Sequence, residues 1–374
     1  MQNWKAELAE VITQRKQKGL LRTLEPKAGT IDFSSNDYLS FNHDGTIRRL
    51  FESLLPITDF GSTGSRLISG HRKAFEEAEA AFSAWVGVED SLLFHSGYAG
   101  NVGCIVAIMS PHDIVFADRL CHASLLDGVR LSGTTRHYYQ HNDLNHLESL
   151  LHKHKAKHRR FILTESVFSM DGDQPDLTSL LSLAEKYDCL VLLDEAHAIG
   201  VLGNKGRGLA WPNQHRLAVI SYPLGKAPGL MGCFVAGPSE LKPYLINHAR
   251  SFIYSTAQPP FMANLLRLIV NELQSKESDM KRQQLYSISE LLFRKLNEAG
   301  FDTATSPSHI LPIILGDEER TLKAATTLKE QGFSVFAIRP PTVAAGASRL
   351  RISLHSANTA DQIESLVAAL RLSC

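Results

Sequence analysis

No apolar run in this chain of 374 residues reaches the length of a membrane span. The opening stretch MQNWKAELAEVITQRKQKG reads as a charged amphipathic helix and lacks the apolar core of a secretion signal. Cysteine is scarce: five residues, an odd number, with no CxxC pair. That excludes a disulfide framework and predicts free thiols in a reducing cytosol. Neither sign of charge is in excess, with Lys+Arg and Asp+Glu both at 39, and the 16 histidines are mostly neutral at pH 7. A general polyanion binder is excluded on that count, and nucleic acid with it. Repeats, low-complexity segments and long linkers are missing. No His/Cys/Asp cluster has the spacing of a structural zinc site, so no metal is expected.

What remains is an ordinary globular composition, 44% apolar, long enough for one large domain and a smaller one. Residues 72–87, RKAFEEAEAAFSAWVG, have helical spacing. A short apolar run follows at 91–94, then SGYAGN and a helix to about Met109. RFILTES (160–166), CLVLLDE (189–195), LAVISY (217–222) and CFVAG (233–237) read as buried strands, with a helix over 177–188. Such alternation predicts an α/β domain with a mostly parallel sheet covered by helices. The rhythm then changes. HILPIIL (309–315), a helix near 318–331, FSVFAI (333–338), RLRISLH (349–355) and a terminal helix predict a smaller α+β unit. The expected division is a segment 1–50 packing with the small unit, a large domain over 51–275 and the small domain over 276–374.

The stretch LVLLDEAHAIG (190–200) carries the first chemical signal. Its DEAH letters also occur in nucleotide-driven motors, which need a phosphate loop GxxxxGK[ST]. The nearest candidate, YPLGKAPG (222–229), has Ala227 after Lys226 and Ile220 where the first glycine is required, so a motor is excluded. In parallel sheets chemistry collects at the carboxyl ends of strands. Asp194 closes one apolar strand, and Lys226 follows the next. An acid and an amine on adjacent strand ends can address two ends of a small ring. Pyridoxal phosphate needs this pair: lysine bonds the aldehyde, and a carboxylate keeps the pyridine nitrogen protonated. Read singly, Asp194 could equally cap a turn and Lys226 could be a surface lysine.

Other pieces fit the same ring. SGYAGN opens a helix whose backbone N–H groups at Gly97 and Tyr98 could hold a phosphate, although any helix start looks similar. Ser169, in VFSMDGD, follows the strand before that of Asp194 and could offer a hydroxyl. His122 could stack on a pyridine face or be a satisfied structural histidine. Gly203, Gly206 and Gly208 shape a loop and not a dinucleotide site, because no strand–G-x-G-x-x-G–helix order surrounds them. HKHKAKHRR (152–160) reads as a solvated connection, with a weak contact to acidic carrier or CoA phosphates as the alternative.

The ordered motifs SGYAGN, DRLCHASLLDG, TESVFSMDGD, LLDEAHAIGVLGNKGRG and LGKAPG resemble the α-oxoamine synthases. FSSNDYLS, GSRLISG and FIYSTAQPP fit as well, over about residues 4–370. That family has PLP-dependent fold type I, the aspartate aminotransferase-like fold. Its members condense an amino acid with an acyl thioester and release CO2. The opening NWKAELAEVITQRKQKGLLR and the tail AIRPPTVAAGASRLRISLH look most like the member that joins L-alanine to a pimeloyl thioester, carried on CoA or on an acyl carrier protein. Sister enzymes that use glycine with acetyl or succinyl thioesters share the chemistry. A catalytically silent relative would lack Lys226, Asp194, His122 or Arg351, and all are present.

The resemblance implies roles by position. Lys226 would be the Schiff-base lysine, Asp194 the partner of the pyridine nitrogen, His197 the partner of the ring hydroxyl, and His122 the stacking imidazole. Gly97, Tyr98 and Ser169 would contact the cofactor, mainly at its phosphate end. Arg351 and Asn36 would hold the amino-acid carboxylate, the arginine through its two-pronged fork. Arg22 and Thr342 would border the acyl path. Ser255 and Thr256 resemble the segment that reaches a partner subunit's cofactor phosphate, which implies a homodimer. One position departs from the family: the place three residues before the lysine, usually Thr, is Pro223, which has neither hydroxyl nor N–H.

Overall fold

The computed structural model describes residues 1–17, 19–24, 29–57 and 59–374. Its strands are β1 (Ile31–Asp32), β2 (Asp90–Phe94), β3 (Ile114–Asp118), β4 (Thr135–Tyr139), β5 (Arg160–Glu165), β6 (Cys189–Asp194), β7 (Val219–Pro223), β8 (Cys233–Gly237), β9 (Ile310–Gly316), β10 (Phe333–Ser334), β11 (Phe336–Ile338) and β12 (Ser348–Ser353). β2 to β8 form one seven-stranded sheet in the order β2-β8-β7-β6-β5-β3-β4. β8 runs antiparallel to both neighbours, and the other pairings are parallel. The alternation read from the sequence is therefore the fold-type I sheet, with the connecting helices on its faces.

The inner strands of that sheet are buried on both faces, which is why they are near-continuous apolar runs, while the edge strand β4, TRHYY, is largely exposed. Phe116, Ile162, Leu193, Ile220 and Phe234 point into one core, with Phe75, Phe82, Leu266 and Ile269 from helices Lys73–Val86 and Pro260–Leu273. The Phe82 and Phe234 rings stack there at 4.1 Å. Val115, Phe161, Leu163, Leu192 and Val235 point into the other, with Cys104, Ile105, Leu125 and Val129 from helices Gly97–Ile108 and Ala123–Ser132. These two helices approach closely because Gly128 has no side chain: a Cβ there would lie 3.0 Å from Ile105.

The C-terminal unit holds the antiparallel sheet β11-β12-β9. FSVFAI is not one strand. β10 pairs in parallel with β1, and past Val335 the chain turns so that β11 pairs with β12 instead. A period-two apolar pattern cannot tell one strand from two that serve different sheets. Residues 31–40 are stitched to this unit by β1 and by backbone bonds such as Ser353 N–H to Phe33 O at 2.8 Å. The helix Gln2–Gln17 departs from the expectation that it packs there. Its described residues are exposed, Trp4 at 61% and Ile12 at 52%. The tie comes just after it, where Arg339 Nη1 donates to Gly19 O at 2.8 Å. Among the described residues no helix is long and apolar enough to cross a membrane.

Candidate active site

Three parallel strands end side by side and deliver their last polar residues to one crevice. In register, Glu165 on β5 lies beside Asp194 on β6, and Asp194 beside Ser221 on β7. Burial, and then the neighbouring Asp194 charge, push Glu165 up to about 8, with Lys226 pulling the other way. The Glu165 carboxyl accepts the backbone N–H of His122. Asp194 is fixed by two donors: Ala196 N–H to Oδ1 at 2.9 Å and Asn101 Nδ2 to Oδ2 at 2.7 Å. The adjacent Glu195 belongs to the scaffold. Its carboxylate accepts the N–H groups of Leu209 at 3.1 Å and Ala210 at 2.5 Å. The loop can close on it because Gly208, at φ 89°, has no Cβ, which would sit 2.6 Å from Oε2.

Lys226 sits in the turn after β7, half-buried. Its amine is brought down to about 8: burial lowers it first, Arg351 adds to that, and Asp194 and Glu165 oppose. Nζ is 2.7 Å from His197 Nε2. His197 Nδ1 is 2.6 Å from the Tyr38 hydroxyl, which donates to Asn36 Oδ1 at 3.0 Å. Tyr38 has a single proton and gives it to Asn36. His197 therefore donates from Nδ1 to Tyr38 and accepts from Lys226 at Nε2. Burial, and next the Lys226 charge, hold its pKa well below the ordinary histidine value, which suits that neutral tautomer.

The same chain reaches Arg351 on β12. Arg351 donates from Nη2 to Asn36 Oδ1 at 3.2 Å, from Nη1 to Ser353 Oγ at 2.6 Å and from Nε to the Ser169 carbonyl at 2.5 Å. Residues from both sheets thus meet around Lys226, and the arrangement brings Lys226, His197, Asn36, Arg351 and Ser169 together. His122 caps helix Ala123–Ser132. Its imidazole pKa is lowered by burial first and also by Lys226, against Asp194.

At the phosphate end of the expected site, Ser96 caps helix Gly97–Ile108 by accepting Ala99 N–H at 3.2 Å. The first N–H groups of a helix have no intrahelical partner and suit an anion. Pro223 closes in here, since a Cβ on Gly97 would lie 2.8 Å from Pro223 Cβ. The Tyr98 hydroxyl turns to Asp127 Oδ2 at 2.8 Å, which leaves only its backbone for an anion. Four expected residues stand apart from the cluster. Ser255 and Thr256 line a separate small cavity with Arg66 and His95. Arg22 and Thr342 are exposed, on two segments joined by the Arg339–Gly19 bond.

The sequence reading missed Tyr38, Asn101, Ser124 and Glu165. Glu165 had a signal: it closes the apolar strand RFILTE as Asp194 closes CLVLLD. Asn101 and Ser124 lie inside the quoted motifs SGYAGN and DRLCHASLLDG, but a polar residue within a helix does not by itself announce a role.

The groups present fit pyridoxal phosphate. They comprise a firmly held carboxylate, an amine of lowered pKa on the adjoining strand end, a helix start that tolerates no Cβ at Gly97, and an arginine fork for a carboxylate. Fold and site together define a PLP-dependent enzyme of fold type I. Residues 28–370 match the aminotransferase class I and II family, and the chain belongs to it. It is 38% identical to a Bacillus cereus (strain G9842) protein named "Putative 8-amino-7-oxononanoate synthase", covering 96% of this chain and 94% of that one. A Bacillus anthracis protein of the same name is 37% identical over the same shares. Among solved structures, the 8-amino-7-oxononanoate synthase of Francisella tularensis is 28% identical with a TM-score of 0.79, covering 92% of this chain and 97% of that one. Serine palmitoyltransferase of Sphingomonas wittichii is 26% identical with a TM-score of 0.87, covering 92% and 87%.

Proposed function

We propose that the chain joins L-alanine to a pimeloyl thioester, releasing CO2 and the free thiol and giving 8-amino-7-oxononanoate, a step in biotin synthesis. The Lys226–His197–Tyr38–Asn36–Arg351 chain beside Asp194 carries the reading. The names of the curated relatives support the choice of substrates. Bound PLP supplies an electron sink for a carbanion at the amino-acid Cα.

The residues divide the remaining work. Arg351 and Asn36 orient the alanine carboxylate, and Asp194 would pair with the ring nitrogen of the bound cofactor. With its pKa at about 8, the Lys226 amine has a free-base population near neutral pH and takes the Cα proton at Nζ. A carbon–carbon bond then forms between Cα and the thioester carbonyl, and the carbon–sulfur bond breaks with the thiolate as leaving group, which takes its proton from solvent. Loss of CO2 leaves its electron pair at Cα. The proton returns there from Lys226 Nζ or from His122. Gly97 and Tyr98 would serve the cofactor's phosphate end, Ser169 the side of the cofactor nearest Arg351, Arg22 and Thr342 the acyl path, and Ser255 and Thr256 a partner copy in a cytosolic homodimer. The donor is CoA or an acyl carrier protein.

Alanine differs from glycine by one methyl, worth about 1–3 kcal/mol in a pocket, so substrate choice is a matter for measurement. Purified holoenzyme is offered alanine with pimeloyl thioester, glycine with acetyl or succinyl thioester, and serine with palmitoyl thioester. The first pair should turn over fastest by kcat/KM, with 8-amino-7-oxononanoate identified by mass. Preference for either other pair overturns the substrate assignment.

A further inference from the structure

A second polar chain runs from Asp194 to His122, through Asn101, which already holds Asp194, and Ser124. Asn101 sits within helix Gly97–Ile108, and Ser124 is the second residue of helix Ala123–Ser132. Asn101 is 2% exposed and Ser124 is fully buried. Asn101 Nδ2 lies 2.7 Å from Asp194 Oδ2 and 2.9 Å from Ser124 Oγ. Ser124 Oγ lies 2.8 Å from His122 Nδ1, and the Ser124 backbone N–H donates to the same nitrogen at 3.2 Å.

The donors and acceptors in this chain can be assigned in one way. A backbone N–H only donates, so His122 Nδ1 is an acceptor and carries no proton. The Ser124 hydroxyl must then donate to it as well. The Ser124 oxygen is left to accept from Asn101 Nδ2, whose other proton goes to Asp194. Rotating the Asn101 amide would set its oxygen against the Asp194 carboxylate. The observed orientation leaves Oδ1 buried without a partner, a cost of about 1–3 kcal/mol that the two donated bonds offset. Asparagine is also a poor residue for a helix interior. An apolar residue would fill the position at lower cost if packing were the only demand.

We propose that Asn101 and Ser124 are positioning residues that hold His122 as the tautomer protonated at Nε2 and lock its ring to the Asp194 carboxylate. The proposal rests on the assignment of His122 and Asp194 to the active site. It makes His122 a hydrogen-bond donor at Nε2, with Nδ1 closed to substrate. The Asp194 carboxylate and the His122 imidazole then form one unit, built from the starts of two helices and the end of β6.

The test is nitrogen NMR on full-length holoenzyme carrying 15N-histidine, with the His122 signals assigned by their loss in His122→Gln. The wild type should show a protonated Nε2 and an unprotonated, hydrogen-bonded Nδ1. In Ser124→Ala the Nδ1 signal should move toward that of an unbonded lone pair. In the same variant kcat should fall by up to about 10-fold with the alanine KM unchanged, the size of one lost hydrogen bond. Ser124→Thr, which keeps the hydroxyl, should restore both. A proton on Nδ1 in the wild type overturns the proposal, whatever the variants do. So does a Ser124→Ala protein with wild-type signals and kcat. The spectrum of the wild type needs no substrate, so a wrong substrate assignment leaves this outcome untouched.

Discussion

The Lys226 amine and the His197 ring meet at 2.7 Å, and the amine is the donor. The direction follows from Tyr38, whose single proton is committed to Asn36, so that His197 must give Nδ1–H to Tyr38 and offer Nε2 to Lys226. A histidine protonated on both nitrogens could not accept that bond. Its burial, together with the nearby Lys226 and Arg351 charges, keeps it neutral. Lys226 and Arg351 are therefore linked by a chain of neutral groups, with a cation at the arginine end that disfavours a second one at the lysine.

This lowers the pH at which Lys226 becomes a nucleophile. In protein stripped of cofactor, acylation of Lys226 by a limiting amine reagent should rise with a midpoint near pH 8 and then level off. Surface lysines should keep rising toward about 10.4. Peptide mass spectrometry after timed labelling separates the two. A Lys226 midpoint among the surface lysines would show that burial and Arg351 do not act on it.

A different histidine should govern the alkaline limit of stability. His141 bridges Asp118 at 3.0 Å and Asp173 at 2.7 Å, tying the end of β3 to the loops after β4 and β5. Burial opposes its charge, but hydrogen bonds to the two aspartates outweigh that and push it up to about 10 from 6.5. The folded value is the higher one. The stabilisation is then complete below about pH 6.5 and is lost as pH rises through about 10. His141→Gln should cost about 1–2 kcal/mol near pH 6, less than for a fully buried pair because solvent reaches part of the ring. The gap to wild type should narrow toward pH 10 in denaturant unfolding curves. A gap independent of pH would mean that the imidazole contributes by packing alone.

Much of the sheet could be read from the sequence because its inner strands are buried on both faces, while the exposed edge strand β4, TRHYY, left no apolar signal. CFVAG (233–237) became β8 over the same residues, and the acid closing CLVLLD marked a real strand end. The division of FSVFAI could not be read, since its first half pairs with Ile31–Asp32 at the other end of the chain and its second half with the nearby β12, and the apolar pattern is the same for both. Site residues split the same way. Lys226 and Asp194 are odd characters in apolar or glycine-rich surroundings and stand out. Tyr38, Asn101 and Ser124 matter only through what they touch, and that is a property of the folded chain. The placing of helix Gln2–Gln17 failed for a related reason: amphipathic spacing says that a face wants cover, not which surface supplies it.

Pro223 offers the sharpest test of how this chain holds its cofactor. It ends β7 and pairs with Cys233, and its ring presses on Gly97 at the start of the helix expected to face the phosphate. The family resemblance puts a threonine hydroxyl at this position, and proline supplies neither that donor nor an N–H. Of the residues just before it, Tyr222 is turned into the core against Phe82, with ring centroids 5.1 Å apart. Ser221 shares Pro223's side of the strand, but it lies two residues deeper, in register with Asp194. Neither is an obvious replacement for the lost hydroxyl. A hydrogen bond to a charged group contributes about 1.5–3 kcal/mol, and each 1.4 kcal/mol is about tenfold in affinity. Pro223→Thr should therefore lower the PLP dissociation constant by roughly tenfold or more. Threonine fits because Gly97 has no side chain to meet its branched Cβ. Titration of stripped protein with PLP, followed by absorbance, measures the constant directly. An unchanged value would mean that the helix N-terminus alone holds the phosphate. In that case Gly97→Ala, whose methyl meets the Cβ of residue 223 whether that is proline or threonine, should weaken binding in both the wild-type and the Thr backgrounds.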